Sequence, residues 1–140
     1  MRYKRCGDKL VIRIDKGEEI IDTLLKVCGT CGITLGSVSG IGSAGRATIG
    51  LFDTAAKKYH SKELVGEYEI TQLSGTVTTR EGKPYLHIHA TLSDAGYAAF
   101  GGHLNAALVS GTCEVIIDIM DGAVDRVFSE EVGLNLFNLR

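Results

Sequence analysis

The stretch Tyr85-Leu86-His87-Ile88-His89-Ala90-Thr91-Leu92 decides how the chain is read. Leu86, Ile88, Ala90 and Leu92 alternate with Tyr85, His87, His89 and Thr91, the period-two pattern of a strand with one buried and one polar face. A turn at Glu81-Gly82-Lys83-Pro84 leads into it. Outward from this strand the texture stays β. Lys9 to Ile14, Ile33 to Ser39, Arg46 to Asp53, Lys57 to Leu64 and Tyr68 to Thr79 are rich in Ile, Val, Thr and Tyr and are expected as strands. So is Thr112 to Met120, followed by a turn at Asp121-Gly122 and a last strand pair. One helix is expected: Asp15 at the N-cap with Glu18 three residues on, an apolar stripe of Ile20, Ile21, Leu24, Leu25 and Cys28, and a stop at Gly29. The 13 residues between His89 and His103 have room for a short helical turn. One helix and eight to ten short strands without strand-helix alternation make an α+β fold, a mainly antiparallel sheet with one principal helix near the N-terminus.

The 140 residues suit a single domain over 1–140, long enough to bury a core without a disulfide. Fifteen basic and 17 acidic residues leave a net charge of -2, which excludes a strongly basic surface as the dominant feature. The basic residues are dispersed: Arg2, Lys4 and Arg5 at the start, Lys57, Lys58 and Lys62 near His60. No apolar run approaches a membrane span, and no apolar segment follows the basic N-terminus, so a cytoplasmic protein is expected. Four unevenly spaced cysteines (Cys6, Cys28, Cys31, Cys113) agree with a reduced compartment.

The chemistry concentrates on histidine. On a strand, His87 and His89 share a face about 7 Å apart. Both imidazoles can reach one metal at bond lengths of about 2.1 Å, and a returning segment can bring His103 to the same face. Three histidines leave a tetrahedral ion with one open position, the pattern of a ligand-binding or catalytic site. Glu69, Asp94 and Glu114 are candidates for the carboxylate that orients an imidazole. The alternative is a solvated polar face, against which stands the clustering of three of the four histidines within 17 positions. His60, without a companion, is expected at the surface.

Two other motifs carry less. Gly40-Ile41-Gly42-Ser43-Ala44-Gly45 matches a dinucleotide fingerprint in letters, but a strand rather than a helix follows it, so a glycine turn joining two strands is expected. Cys28-Gly29-Thr30-Cys31 falls at a helix C-terminus, where thiolates are not stabilised, and reads as core packing at Cys28 and a reduced thiol at Cys31.

Four features in order resemble the Plants and Prokaryotes Conserved (PPC) domain family. They are Ser39-Gly40-Ile41-Gly42-Ser43 with Arg46-Ala47-Thr48-Ile49-Gly50, Gly66-Glu67-Tyr68-Glu69-Ile70 with Leu73-Ser74-Gly75, His87-Ile88-His89-Ala90, and Gly101-Gly102-His103-Leu104. The resemblance implies a homotrimer of α+β domains associated with DNA or a protein partner in a regulatory role. Plant members carry an AT-hook, which is missing here. Their partner-binding segment Gly-Arg-Phe-Glu-Ile-Leu corresponds to Gly66, Glu67, Tyr68, Glu69, Ile70 and Thr71, with Glu67 in place of the arginine. The fold is also similar to that of acetolactate decarboxylase, which implies zinc or another divalent metal on His87, His89 and His103; Glu69 is the preferred candidate for a carboxylate near them. That likeness supports an alternative function, a zinc-dependent enzyme acting on a small carbonyl or carboxylate substrate bound at the metal.

Overall fold

A computed structural model describes all residues from Met1 to Arg140. The order is β1 (Arg2–Cys6), β2 (Lys9–Asp15), α1 (Ile20–Cys31), β3 (Gly36–Asp53), β4 (Lys58–Arg80), β5 (Lys83–Ser93), β6 (Ala99–Ile119), β7 (Asp125–Ser129) and β8 (Leu134–Asn138). The molecule is thus mostly antiparallel sheet with a single short helix near the N-terminus.

The alternation at Tyr85–Leu92 becomes β5. Ile88, Ala90 and Leu92 are buried on its core side. The same rule places Leu10, Ile12 and Ile14 of β2 in the core. The helix buries Ile20, Leu24, Val27 and Cys28, so its inner stripe lies slightly to one side of the expected one. It packs on β5 and β6.

The helix boundaries differ from expectation. Asp15 ends β2, and Glu19 is the N-cap, its carboxylate accepting from Asp22 N at 2.6 Å. Glu18 still reaches back to Asp15 N at 2.8 Å, so the reciprocal contact of a capping box closes the turn before the helix instead. Gly29 lies inside the helix. The chain stops at Gly32, whose left-handed backbone (φ 64°) lets its N–H meet the open carbonyls of the last turn.

The eight strands fall within the expected number, but several are far longer than expected. Gly40–Gly45 is no turn: β3 runs through it, bent at irregularities between Gly40 and Gly42 and between Ala44 and Arg46. The segments Lys57–Leu64 and Tyr68–Thr79 merge into β4, and Thr112–Met120 is the far half of β6. Each irregularity turns the strand without breaking its pairing, so the glycines bend strands rather than end them. The chain between His89 and His103 makes a tight turn at Asp94–Ala98 and no helical turn.

Pairing closes on itself. β3 pairs β4, β4 pairs β5, β5 pairs β6 and β6 pairs β3, all antiparallel. β1 and β2 extend the sheet beyond β6, and the β7–β8 hairpin attaches to β4 through one parallel contact, Thr79 with Asp125. This closure brings the cavity side of β5 and β6 under the C-terminal hairpin. No helix is long and apolar enough to cross a membrane.

Candidate functional site

The antiparallel register of β5 and β6 sets His89 directly opposite His103. Such a pair puts its Cβ atoms about 5 Å apart on one face. His87, two residues before His89, joins them on that face. Ring centroids lie 5.1 Å apart for His87–His89, 5.4 Å for His87–His103 and 5.6 Å for His89–His103. One nitrogen from each comes within 4.8 Å of the other two. A tetrahedral ion with bonds near 2.1 Å holds its ligand atoms about 3.4 Å apart, a difference that side-chain rotation alone can close. The three residues therefore fit a single metal ion.

Glycine lets the backbone reach this position. A Cβ on Gly75 of β4 would overlap the carbonyl oxygen of His87 on β5. A Cβ on Gly50 would overlap the hydroxyl of Tyr59, which crosses it to stand edge-on to His103 at 6.3 Å. Tyr59 is held there by donating to Asn105 Oδ1.

The histidines line a cavity of about 650 Å³. Leu51, Phe52, Leu134, Leu136 and Phe137 supply apolar wall; Tyr59, Tyr85, Arg126 and Asn135 supply polar groups. Burial holds the His87 imidazole below its ordinary pKa, and the Arg126 guanidinium and the two other imidazoles push the same way. Burial, then His89, lowers His103. Both rings are thus biased toward the neutral, metal-ligating form near pH 7.

The carboxylates named from sequence lie elsewhere. Glu69 is exposed on β4 opposite Ser93 and makes no hydrogen bond to an imidazole. Asp94 closes the turn after β5, accepting from Gly96 N at 2.9 Å and Ala98 N at 3.0 Å. Glu114 borders a separate groove beside Val11, Ile41 and Ile116. Gly66–Thr71 also lies outside the cavity: Gly66 (φ 135°) sits at an interruption of the β3–β4 register, Tyr68 meets Phe100 edge-on and Ile70 is core. His60 is exposed. Cys28 and Cys113 are buried, and burial pushes their thiols up to about 12 and about 11.

Sequence reasoning missed Arg126 and Asn135. Arg126 is only 8% exposed, with its guanidinium 4.8 Å from the Tyr85 ring centroid and 4.6 Å from that of Phe137. One signal was available: Arg126 is the only lysine or arginine between Pro84 and Leu139.

The sequence pattern of the Plants and Prokaryotes Conserved (PCC) domain matches residues 1–121. No curated protein matches the chain. Among solved structures, a "putative DNA binding protein" from Bacteroides thetaiotaomicron is 31% identical, with TM-score 0.95 over 98% of this chain and 96% of that one. A metal-containing protein from Archaeoglobus fulgidus is 34% identical, with TM-score 0.88 over 99% of both chains. The α-acetolactate decarboxylase of Bacillus subtilis shares the fold, at 15% identity and TM-score 0.58, over 87% of this chain and 57% of that one.

Proposed function

From the premise that the chain belongs to the Plants and Prokaryotes Conserved domain family, we propose that it is a metal-dependent binding module. His87, His89 and His103 hold one divalent cation, with an open position toward the cavity for a small ligand. The observation that carries this reading is the convergence of the three imidazole nitrogens within 4.8 Å on the cavity wall. Neutral imidazoles suit zinc among the common divalent ions. A bound zinc ion supplies Lewis acidity toward a carbonyl or carboxylate oxygen. The cavity lining holds no Asp or Glu to carry a proton, which favours ligand binding over turnover. Metal analysis of untagged protein tests the reading. About one zinc per chain is expected, and none in a His87→Ala, His89→Ala double variant; unchanged zinc in that variant overturns it.

The working unit in this reading is a homotrimer. Val11, Ile41 and Ile116 are 44%, 59% and 42% exposed around a groove of about 510 Å³ on the outer side of β2, β6 and β3. Neighbouring apolar side chains of this kind call for a covering surface. Light scattering at micromolar concentration is expected to give three times the chain mass, and a monomeric mass overturns the assembly. Four unpaired cysteines suit a reducing compartment such as the cytoplasm.

A second reading, direct association with DNA, has one observation in its favour. Arg2 pairs with Arg13 across the β1–β2 ribbon, and Lys4 shares their face. Arg13 is already matched by Asp15 at 2.8 Å, so three copies would be needed to gather a useful positive surface. Gel shifts at about 50 and 200 mM salt test it, because phosphate contacts make affinity steeply salt-dependent. Failure to shift any duplex at the lower salt removes direct binding.

A further inference from the structure

The β7–β8 hairpin holds a positive charge against the histidine cavity without a counter-ion. Arg126 Nε donates to Thr78 Oγ1 at 2.8 Å, Nη1 to the Asn135 carbonyl at 2.8 Å and Nη2 to Thr76 Oγ1 at 3.3 Å. These three bonds leave two of the five guanidinium N–H donors free. No carboxylate lies within 4.0 Å of it, whereas the ion pairs elsewhere in the molecule join exposed or half-buried groups. The adjacent Asp125 is turned to the opposite side of β7 and accepts from Thr79 at 3.0 Å. Burial without a partner lowers the Arg126 pKa from its ordinary value.

A second observation points the same way. Asn135, which also lines the cavity, has a buried side-chain oxygen with no hydrogen-bond partner. Its Nδ2 faces the Tyr85 hydroxyl at 3.4 Å. A buried acceptor left unmatched is costly to the fold, so it marks a place where a donor belongs. The cavity therefore presents a planar cation held against two rings, an orphan acceptor beside it, and apolar walls from Leu51, Phe52 and Leu136.

We propose that Arg126 and Asn135 form the recognition end of the cavity, and that its ligand is a small organic oxyanion. The anionic group pairs with the two free guanidinium N–H donors, a hydroxyl or amide of the ligand donates to Asn135 Oδ1, and an apolar body lies along the leucines and Phe52. The placement of the histidines as a metal site in the same cavity is taken from the function proposed above. With a divalent cation there, the lining carries three positive charges and no negative one, so an anion is the occupant that balances it. This arrangement fits Arg126 for a flat or tetrahedral oxyanion better than lysine would, because its donors are held in a fixed fork.

Carboxylate and phosphate ester share this chemistry, and a matched set of probes separates them. Benzoate, phenyl phosphate and the uncharged benzamide are titrated by calorimetry into zinc-free and zinc-loaded full-length protein, with zinc content measured on the same samples. Benzoate or phenyl phosphate is expected to bind with a Kd of about 1 mM or tighter, the stronger of the two naming the natural group, and benzamide at least about tenfold more weakly. Arg126→Met is expected to lose at least about tenfold in anion affinity. Because Arg126 also ties the hairpin to β4, the isosteric Asn135→Asp provides the control. It supplies the missing negative charge from within, and is expected to abolish anion binding while the thermal midpoint of the ligand-free protein stays level or rises. Equal binding of benzamide, or anion affinity unchanged in both variants, overturns the proposal. Anion binding that depends on Arg126 in protein that takes up no zinc supports it and removes only the metal reading; zinc uptake without anion binding does the reverse.

Discussion

On strand β5, Ile88, Ala90 and Leu92 face the core while His87 and His89, one position away, face the cavity, and different forces act on the two sides. The core side is held by contact. Ile88 and Leu92 are almost wholly buried in a cluster that also takes side chains from the helix and the other strands. The cavity side is held by placement: none of the three imidazoles makes a hydrogen bond within the chain, and their convergence comes from the register of β5 on β6. Replacing a core residue should therefore damage stability, and replacing a cavity histidine should damage binding alone. One backbone, alternating side by side, separates folding from function.

The largest effect should come from the core. Leu92→Ala is expected to cost about 2–5 kcal/mol of unfolding free energy in urea titrations, as for other buried leucines. A cost below about 1 kcal/mol would mean that β5 is not anchored by its apolar side, and the comparison would fail there.

Gly75→Ala should join what the two faces separate. The added methyl meets the backbone of His87 and Ile88, so β5 must shift. Overpacking of this kind costs about 1–3 kcal/mol. Zinc uptake should fall as well, because His87 moves with its backbone. Stability lost with zinc uptake intact would show that the histidines adjust independently of the strand.

The double variant His87→Ala, His89→Ala should sit at the other extreme. Its metal-free stability is expected within about 0.5 kcal/mol of the parent, since both side chains stand on the open cavity wall and outside the core cluster. What it should lose is the stabilisation that saturating zinc is expected to give the parent, about 2.7 kcal/mol at a hundred times the Kd, read as a rise in thermal midpoint. A large loss of metal-free stability would make the histidines structural.

The smallest effect concerns the thiols behind the sheet. The Cys28 and Cys113 thiols are raised in the folded state to about 12 and about 11 from the ordinary 9.0, because burial disfavours the thiolate. Their contribution is complete below the unfolded value and fades as pH rises from there through the folded values. Urea midpoints should fall between pH 9 and pH 11, less steeply in a Cys28→Ala, Cys113→Ala variant. An equal slope in the two proteins would show that neither thiol is held neutral by the core.

Several parts of this picture were legible before any coordinates. The two faces of β5, the helix near the N-terminus and the β7–β8 pair follow from alternation and helical spacing. His87 and His89 share a face for the same reason. The long strands were not legible. Glycine at Gly40–Gly45 permits both a turn and a bend, and only the partners β4 and β6 select the bend. Asp15 and Glu18 have the spacing of a capping box, but β2 holds Asp15 in strand pairing with Thr112 and leaves the cap to Glu19.

What the sequence determined by itself is therefore the character of each face: which side chains alternate inward, and which imidazoles stand together two residues apart. These are properties of local stereochemistry, since backbone geometry repeats every two residues in a strand. Only the tertiary structure decided which distant residues meet them. Setting His103 opposite His89 depends on the register of β5 against β6, and bringing Arg126 and Asn135 to the cavity depends on where the last hairpin docks on β4. Register and docking are chosen by burial summed over the whole core, to which no single segment holds the answer.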